Sequence, residues 1–177
     1  TWDDMGLKKS EHISKIIVHP DNSNIIWVAS QGPLWNSGGD RGLFMSTDGG
    51  NSWSNKLYVN EWTGVTDIII DPTNPDILYA ATWQRHRNVA SLIDGGPGTS
   101  IYKSIDGGNT WNEIDSGLPS SNMGKIGLAI SPMKPEVIYA AIELDRRSGA
   151  VFRSDNSGGV WKKMSTTVAG ATGPHYY

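Results

Sequence analysis

Tryptophan and arginine crowd one short stretch, Trp83-Gln-Arg85-His86-Arg87, and recur nearby as Trp35, Arg41 and Trp62. Flat indole faces stack on sugar rings, and the guanidinium fork takes a carboxylate through paired hydrogen bonds. This pattern suits recognition of a glycan, a peptide or a protein surface. Trp35, Arg41, Trp62, Trp83, Arg85, His86 and Arg87 are therefore the candidate ligand-binding residues, and the competing reading has Trp83 filling a seam between neighbouring elements.

Bond-breaking is harder to assemble. Glycoside hydrolysis generally takes two carboxylates, about 5–5.5 Å apart for retention and about 6.5–9.5 Å for inversion. Asp67, Glu61, Glu11 and Glu143 are available, but no spacing selects a pair, and the arginine cluster and tyrosine of a sialidase cannot be assembled. Asp67 is left as the one catalytic candidate, and it reads more readily as half of a structural ion pair. His12, His19, His86 and His175 stand apart, with no H-E-x-x-H and no i,i+4 pair, so neither a metal nor a cofactor is expected. The run Gly95-Gly-Pro97-Gly leads into a strand pattern rather than a helix, which makes it a turn and not a phosphate loop. No G-x-S-x-G elbow is present.

The elements that must hold these residues follow from composition. The chain has 177 residues, 37% hydrophobic and only 19% charged, with 21 Gly, 9 Pro and 8 Trp. That length favours one domain, and that composition excludes a helical bundle. With 15 Lys and Arg against 18 Asp and Glu, the net charge of −3 carries no footprint for nucleic acid or an anionic membrane. No apolar run approaches the roughly 20 residues of a membrane span. There is no cysteine, so disulfides, thiolate metal sites and a thiol nucleophile are excluded together.

A repeat organises the rest. Ser46-Thr-Asp48-Gly-Gly50-Asn-Ser52-Trp53, Ser104-Ile-Asp106-Gly-Gly108-Asn-Thr110-Trp111 and Ser154-Asp-Asn156-Ser-Gly158-Gly-Val160-Trp161 all read S-x-[DN]-x-G-x-x-W. Ahead of each stands a proline turn and an apolar run, at Pro20, Pro72 and Pro132, which are 52 and 60 positions apart. A period of about 50 residues is blade length for a β-propeller. Each unit holds four strand patterns: residues 13–18, 25–30, 42–46 and 54–59, then 65–70, 77–82, 100–104 and 112–114, then 125–130, 137–142, 150–154 and 162–164. The S-x-[DN]-x-G-x-x-W turn joins strands three and four of each unit. Its acid or amide accepts the turn's N–H groups, its glycine takes the positive φ and its tryptophan packs beneath. These residues are expected to be structural: Ser46, Asp48, Gly50, Trp53, Ser104, Asp106, Gly108, Trp111, Ser154, Asn156, Gly158 and Trp161. Asn156 and Val160 depart from the pattern, so the third turn should be held by fewer hydrogen bonds.

The repeated S-x-D-x-G-x-T-W resembles the Asp-box, or BNR, repeat family of β-propellers, which includes sialidases, xyloglucan-type endoglucanases and sortilin-like receptor domains. A stretch like Ala81-Thr-Trp83-Gln-Arg85 leading through Gly95-Gly-Pro97-Gly to Ser104 is similar to large exported bacterial proteins termed "glycosyl hydrolase, BNR repeat" or sortilin-like. The resemblance implies an all-β fold, a propeller of four-stranded antiparallel blades, with about three and a half blades here. On this reading residues 1–177 are a segment of one propeller domain, with repeats at about 3–53, 54–111 and 112–161 and the next blade opening within 165–177. Thr1-Trp2 reads as the end of an earlier turn, and the remaining blades are expected from the same longer chain or a partner. The resemblance further implies an extracytoplasmic bacterial location: secreted, periplasmic or on the cell surface.

In such a propeller the stapled turns share one face with the proline turns, so ligands belong opposite. There lie the strand-two to strand-three loops, 31–41, 83–99 and 143–149, and a rim of Trp35, Trp62 and Trp83 would form an aromatic platform. Aligning the inner strands on their prolines sets Lys15, Asp67 and Gly127 at one height, with Lys15 facing Asp67 across adjacent blades. The resulting expectation is a non-catalytic binding propeller that grips a peptide, protein or glycan. The alternative is a BNR-type glycoside hydrolase whose carboxylates come partly from other blades.

Overall fold

The computed structural model describes residues 1–144 and 148–168. The described chain is all-β, and three antiparallel sheets follow one another in sequence. The first contains β1 (Ile13–His19), β2 (Asn22–Ser30), β3 (Gly42–Ser46) and β4 (Ser54–Leu57) in spatial order. The second contains β5 (Thr63–Ile70), β6 (Leu78–Arg87), β8 (Ile101–Ser104) and β9 (Asn112–Glu113), with β7 (Leu92–Asp94) paired to the outer part of β6. The third contains β10 (Ile126–Ile130), β11 (Ile138–Leu144), β12 (Ser148–Ser154) and β13 (Lys162–Val168). These are three four-stranded blades of a β-propeller. No helix among the described residues is long and apolar enough to cross a membrane.

The last strand is longer than its sequence pattern, so residues 165–168 complete the third blade. Residues 169–177, including Gly173 to Tyr177 where a further inner strand was expected, lie outside the described residues. At the other end Trp2 is fully exposed and residues 1–12 form no strand.

The core lies between blades because the pleat sends alternate residues to opposite faces. Along β6, Leu78 and Ala80 join Trp27, Leu43 and Ile68 on the side of the first blade, while Tyr79 and Ala81 join Ile126, Ile138 and Phe152 toward the third. Irregularities in β1 and β5 free Ser14 and Thr66 from the ladder register. Both hydroxyls reach the next inner strand, Ser14 donating to the Val65 carbonyl at 3.1 Å and Thr66 to that of Ile126 at 3.2 Å.

The tryptophan-ended turns staple this stack. In the first, Ser46 Oγ donates to Asp48 Oδ1 at 2.7 Å and accepts from Gly50 N at 2.8 Å. Asp48 Oδ1 also accepts from Ser52 N at 2.9 Å, and Oδ2 from Ser52 Oγ at 2.6 Å. Asp106 repeats the set with Thr110, at 2.9 Å to its N–H and 2.6 Å to its hydroxyl. Asn156 keeps the bond to Val160 N at 2.9 Å, but Val160 has no hydroxyl to donate, so the third turn is indeed held by fewer bonds. Each turn is tied to the proline turn of its own blade, by Gly49 N to Asn24 O, Gly107 N to Asp76 O and Ser157 N to Glu136 O. That places all three on one face. Each later turn also seats on the preceding blade: Gly108 lies against the Trp27 indole, and Tyr79 Oη donates to the Ser157 carbonyl at 3.3 Å.

Candidate functional site

The opposite face is built around one hairpin. The stretch from Trp83 to Arg87, expected as loop, continues β6 and pairs with β7 in the register Arg85 to Asp94, His86 to Ile93 and Arg87 to Leu92. Asn88 closes the turn, its Oδ1 accepting from Ala90 N at 2.9 Å and Ser91 N at 2.8 Å. The first blade and its exit loop extend the pairing, since Arg85 N donates to Trp62 O and Arg87 N to Leu34 O, both at 3.1 Å. Period-two alternation was present in Trp-x-Arg-x-Arg, but polar side chains disguised it, because burial of the odd positions is decided by neighbouring blades.

Alternation gives the hairpin two different walls. On the even side Gln84, His86 and Ile93 face Trp62 across a shallow, largely apolar hollow of about 320 Å³. His86 meets the Trp62 ring edge-on, with centroids 4.1 Å apart. On the odd side Trp83, Arg85, Arg87, Asp94 and Lys125 surround a smaller, more enclosed hollow of about 170 Å³. The Arg85 guanidinium lies 5.0 Å and the Lys125 ammonium 5.8 Å from the Trp83 ring centre, within cation–π range. Arg87 lies over Trp35, which is 53% exposed, at 5.3 Å.

Two candidates change role. Trp83 is only 4% exposed, so it belongs to the floor between blades and not to an aromatic platform with Trp35 and Trp62. Arg41 is 1% exposed and is not a ligand contact. Its guanidinium donates to the carbonyls of Gln31, Pro33, Asn36, Gly38 and Trp62, and so frames the 31–41 loop. Loop carbonyls buried by the fold need donors, and a five-donor fork supplies them from one side chain. Burial, and next the charge of Arg85, hold its pKa below the usual arginine value. Arg85 is likewise 8% exposed, a wall of the small hollow and not a free loop cation.

The inner strands meet as their alignment predicts. Lys15 Nζ lies 2.8 Å from Asp67 Oδ1, which also accepts from Ile68 N at 2.9 Å. Asp67 Oδ2 accepts from Leu128 N at 2.8 Å. One carboxylate thus ties all three inner strands together, and both of its oxygens are engaged. Of the other carboxylates, Glu11 and Glu61 are exposed. Glu143 is brought beside Asp94, a residue the sequence did not single out. Burial, then the charge of Asp94, push the Glu143 carboxyl above the ordinary range, and Lys125 partly opposes them. Lys125, Gln84, Ile93 and Asp94 were all missed as site residues. Their types are unremarkable in sequence, and only the hairpin register and the approach of the third blade gather them.

With this geometry in place, the chain compares with known proteins as follows. No protein-family model matches it. It is 28% identical over 179 residues to a xyloglucanase of Hypocrea jecorina (strain QM6a), covering 89% of this chain and 20% of that protein. A xyloglucanase of a Paenibacillus species is 22% identical over 184 residues, covering 85% of this chain and 17% of its own. The chain therefore spans about a fifth of the length of the curated relatives it matches. The crystal structure of the GH74 xyloglucanase from Xanthomonas campestris superimposes with a TM-score of 0.63 at 17% identity, over 86% of this chain and 21% of that one. That likeness is one of fold, and it agrees with the propeller blades described above.

Proposed function

We propose that these blades form part of the glycan-binding wall of an exported glycoside hydrolase of the Asp-box repeat class, acting on a xyloglucan-like polysaccharide. The carrying observation is the exposed aromatic face of the β6–β7 hairpin. There Trp62, met edge-on by His86, lines the open hollow, and the exposed Trp35, held under Arg87, stands by the hairpin's other wall, both away from the stapled turns. Partly exposed, rigidly backed indoles suit sugar rings, which present flat C–H faces. Similarity to two xyloglucanases supports a hydrolase over a non-catalytic scaffold. Catalytic carboxylates are then supplied partly by blades outside this chain, within the same longer protein, and an extracytoplasmic location follows from a polysaccharide substrate.

One observation favours the scaffold reading. Asp67, the catalytic candidate, has both carboxylate oxygens committed to neighbouring strands. The two readings separate in one experiment on the full-length protein, with xyloglucan oligosaccharides followed by calorimetry and by release of reducing ends. Trp62→Ala and Trp35→Ala are each expected to weaken binding about tenfold, or about 1.4 kcal/mol. Binding without turnover selects the scaffold. Unchanged affinity in both variants removes the glycan reading of this face.

A further inference from the structure

The small hollow on the odd side of the hairpin has a different chemistry from the aromatic one. Arg85, Arg87 and Lys125 stand around it, against Asp94 in its wall and Glu143 beside Asp94. Three cations against two carboxylates leave one positive charge uncompensated, in a chain whose net charge is −3. Behind Arg85, the buried Arg41 adds a further cation, with Glu11 partly offsetting it. Trp83 lines the hollow, and its indole N–H is buried without a hydrogen-bond partner in the structure.

Resting on the carbohydrate reading above, we infer that this hollow is a subsite for a carboxylate carried by a sugar, so that the glycan recognised bears uronate groups. Its volume of about 170 Å³ falls below the roughly 300 Å³ at which pockets hold whole drug-sized ligands. It takes one pendant group while the rest of the chain lies outside. A carboxylate balances the local charge, and it presents two oxygens to the guanidinium of Arg87 and the ammonium of Lys125. A neutral hydroxymethyl group in the same place accepts hydrogen bonds but leaves the charge uncompensated in a site screened from water.

The test uses the full-length protein and an oligogalacturonate, with its methyl ester as the uncharged twin and a neutral xyloglucan oligosaccharide as reference. The acid is expected to bind about tenfold or more tightly than its ester, with affinity falling as salt rises. Lys125→Met should remove most of that preference while leaving the ester and xyloglucan unchanged. Arg87→Gln should remove it too, with any loss toward the ester and xyloglucan no larger than that of Trp35→Ala, and thermal melts of both variants verify that they fold. Equal binding of acid and ester, or an acid preference that survives both substitutions, overturns the uronate subsite and leaves the carbohydrate reading standing. Failure of every glycan, neutral and acidic, overturns both. Binding of a peptide with a free C-terminal carboxylate, lost on amidation, in place of the oligogalacturonate refutes a sugar as the source of the charge.

Discussion

Gly108→Ala isolates the contact by which one blade seats on the next. A Cβ at this position would lie 2.6 Å from Trp27 Nε1 and 3.3 Å from Trp27 Cδ1, and the backbone φ is +86°. Two costs add. An L-residue in the left-handed region costs about 1–2 kcal/mol, and overpacking a rigid neighbour costs about 1–3 kcal/mol. Trp27 is fully buried and has nowhere to retreat, so the sum is about 2–5 kcal/mol, or about 4–20 °C in melting temperature for a chain of this size. Gly38→Ala supplies the control, with φ +71° but nothing within 4 Å of the added methyl. It pays the backbone cost alone, about 1–2 kcal/mol or about 2–8 °C. Melting curves by circular dichroism measure both, and Trp27→Ala combined with Gly108→Ala completes a double-mutant cycle in which much of the steric part should vanish. If Gly108→Ala melts no lower than Gly38→Ala, or if the cycle shows no coupling, the turn does not bear on Trp27 and the account of blade stacking fails.

Three further outcomes follow from the same geometry. Hydrogen bonds from Ser52 and Thr110 pull the Asp48 and Asp106 carboxyls down to about 2, below the ordinary value of 3.8, so their stabilising effect is complete above about pH 4 and is lost as the pH falls through 2. Melting temperatures between pH 5 and 2 should show that acid limb, and Asp48→Asn with Asp106→Asn should flatten it. Converting the third turn to the pattern of the others, with Asn156→Asp and Val160→Thr, restores the missing hydroxyl-to-carboxylate bond. It should raise the melting temperature by about 1–4 °C, for about 0.5–1 kcal/mol. Asp67→Asn sets an amide NH2 against either the Lys15 ammonium or the Leu128 N–H, and should cost about 1–3 kcal/mol in a thermal melt. On the proposed hydrolase reading, xyloglucan turnover by the full-length protein should survive that substitution, and its abolition without loss of fold would give Asp67 a catalytic role.

The hydrophobic period, the turn residues and the repeat are local quantities, and they suffice for blades. Twelve strand patterns are legible because each is bounded by its own turn chemistry, and the Lys15–Asp67 ion pair is legible because a repeat aligns equivalent heights. The weakened third turn is legible for a similar reason: a missing hydroxyl at Val160 needs no tertiary context to be noticed.

The hairpin is where local reading stops. In sequence, Trp83, Arg85 and Arg87 look like exposed binding residues, and Arg41 looks no different from them. Arg41 becomes a buried frame because the carbonyls of its own 31–41 loop and of Trp62 close on it, whereas Arg85 becomes the wall of a hollow because groups of the first and third blades pack against the hairpin. Asp94, Lys125 and Glu143 become neighbours only when β7 folds onto β6 and the third blade closes on the second. The amino-acid sequence by itself determined the propeller and the face that stays free of staples, because strand period and turn bonding act over a few residues. Only the tertiary structure decided the charge and shape of the hollows on that face, because electrostatics and burial depend on what lies close in space rather than along the chain.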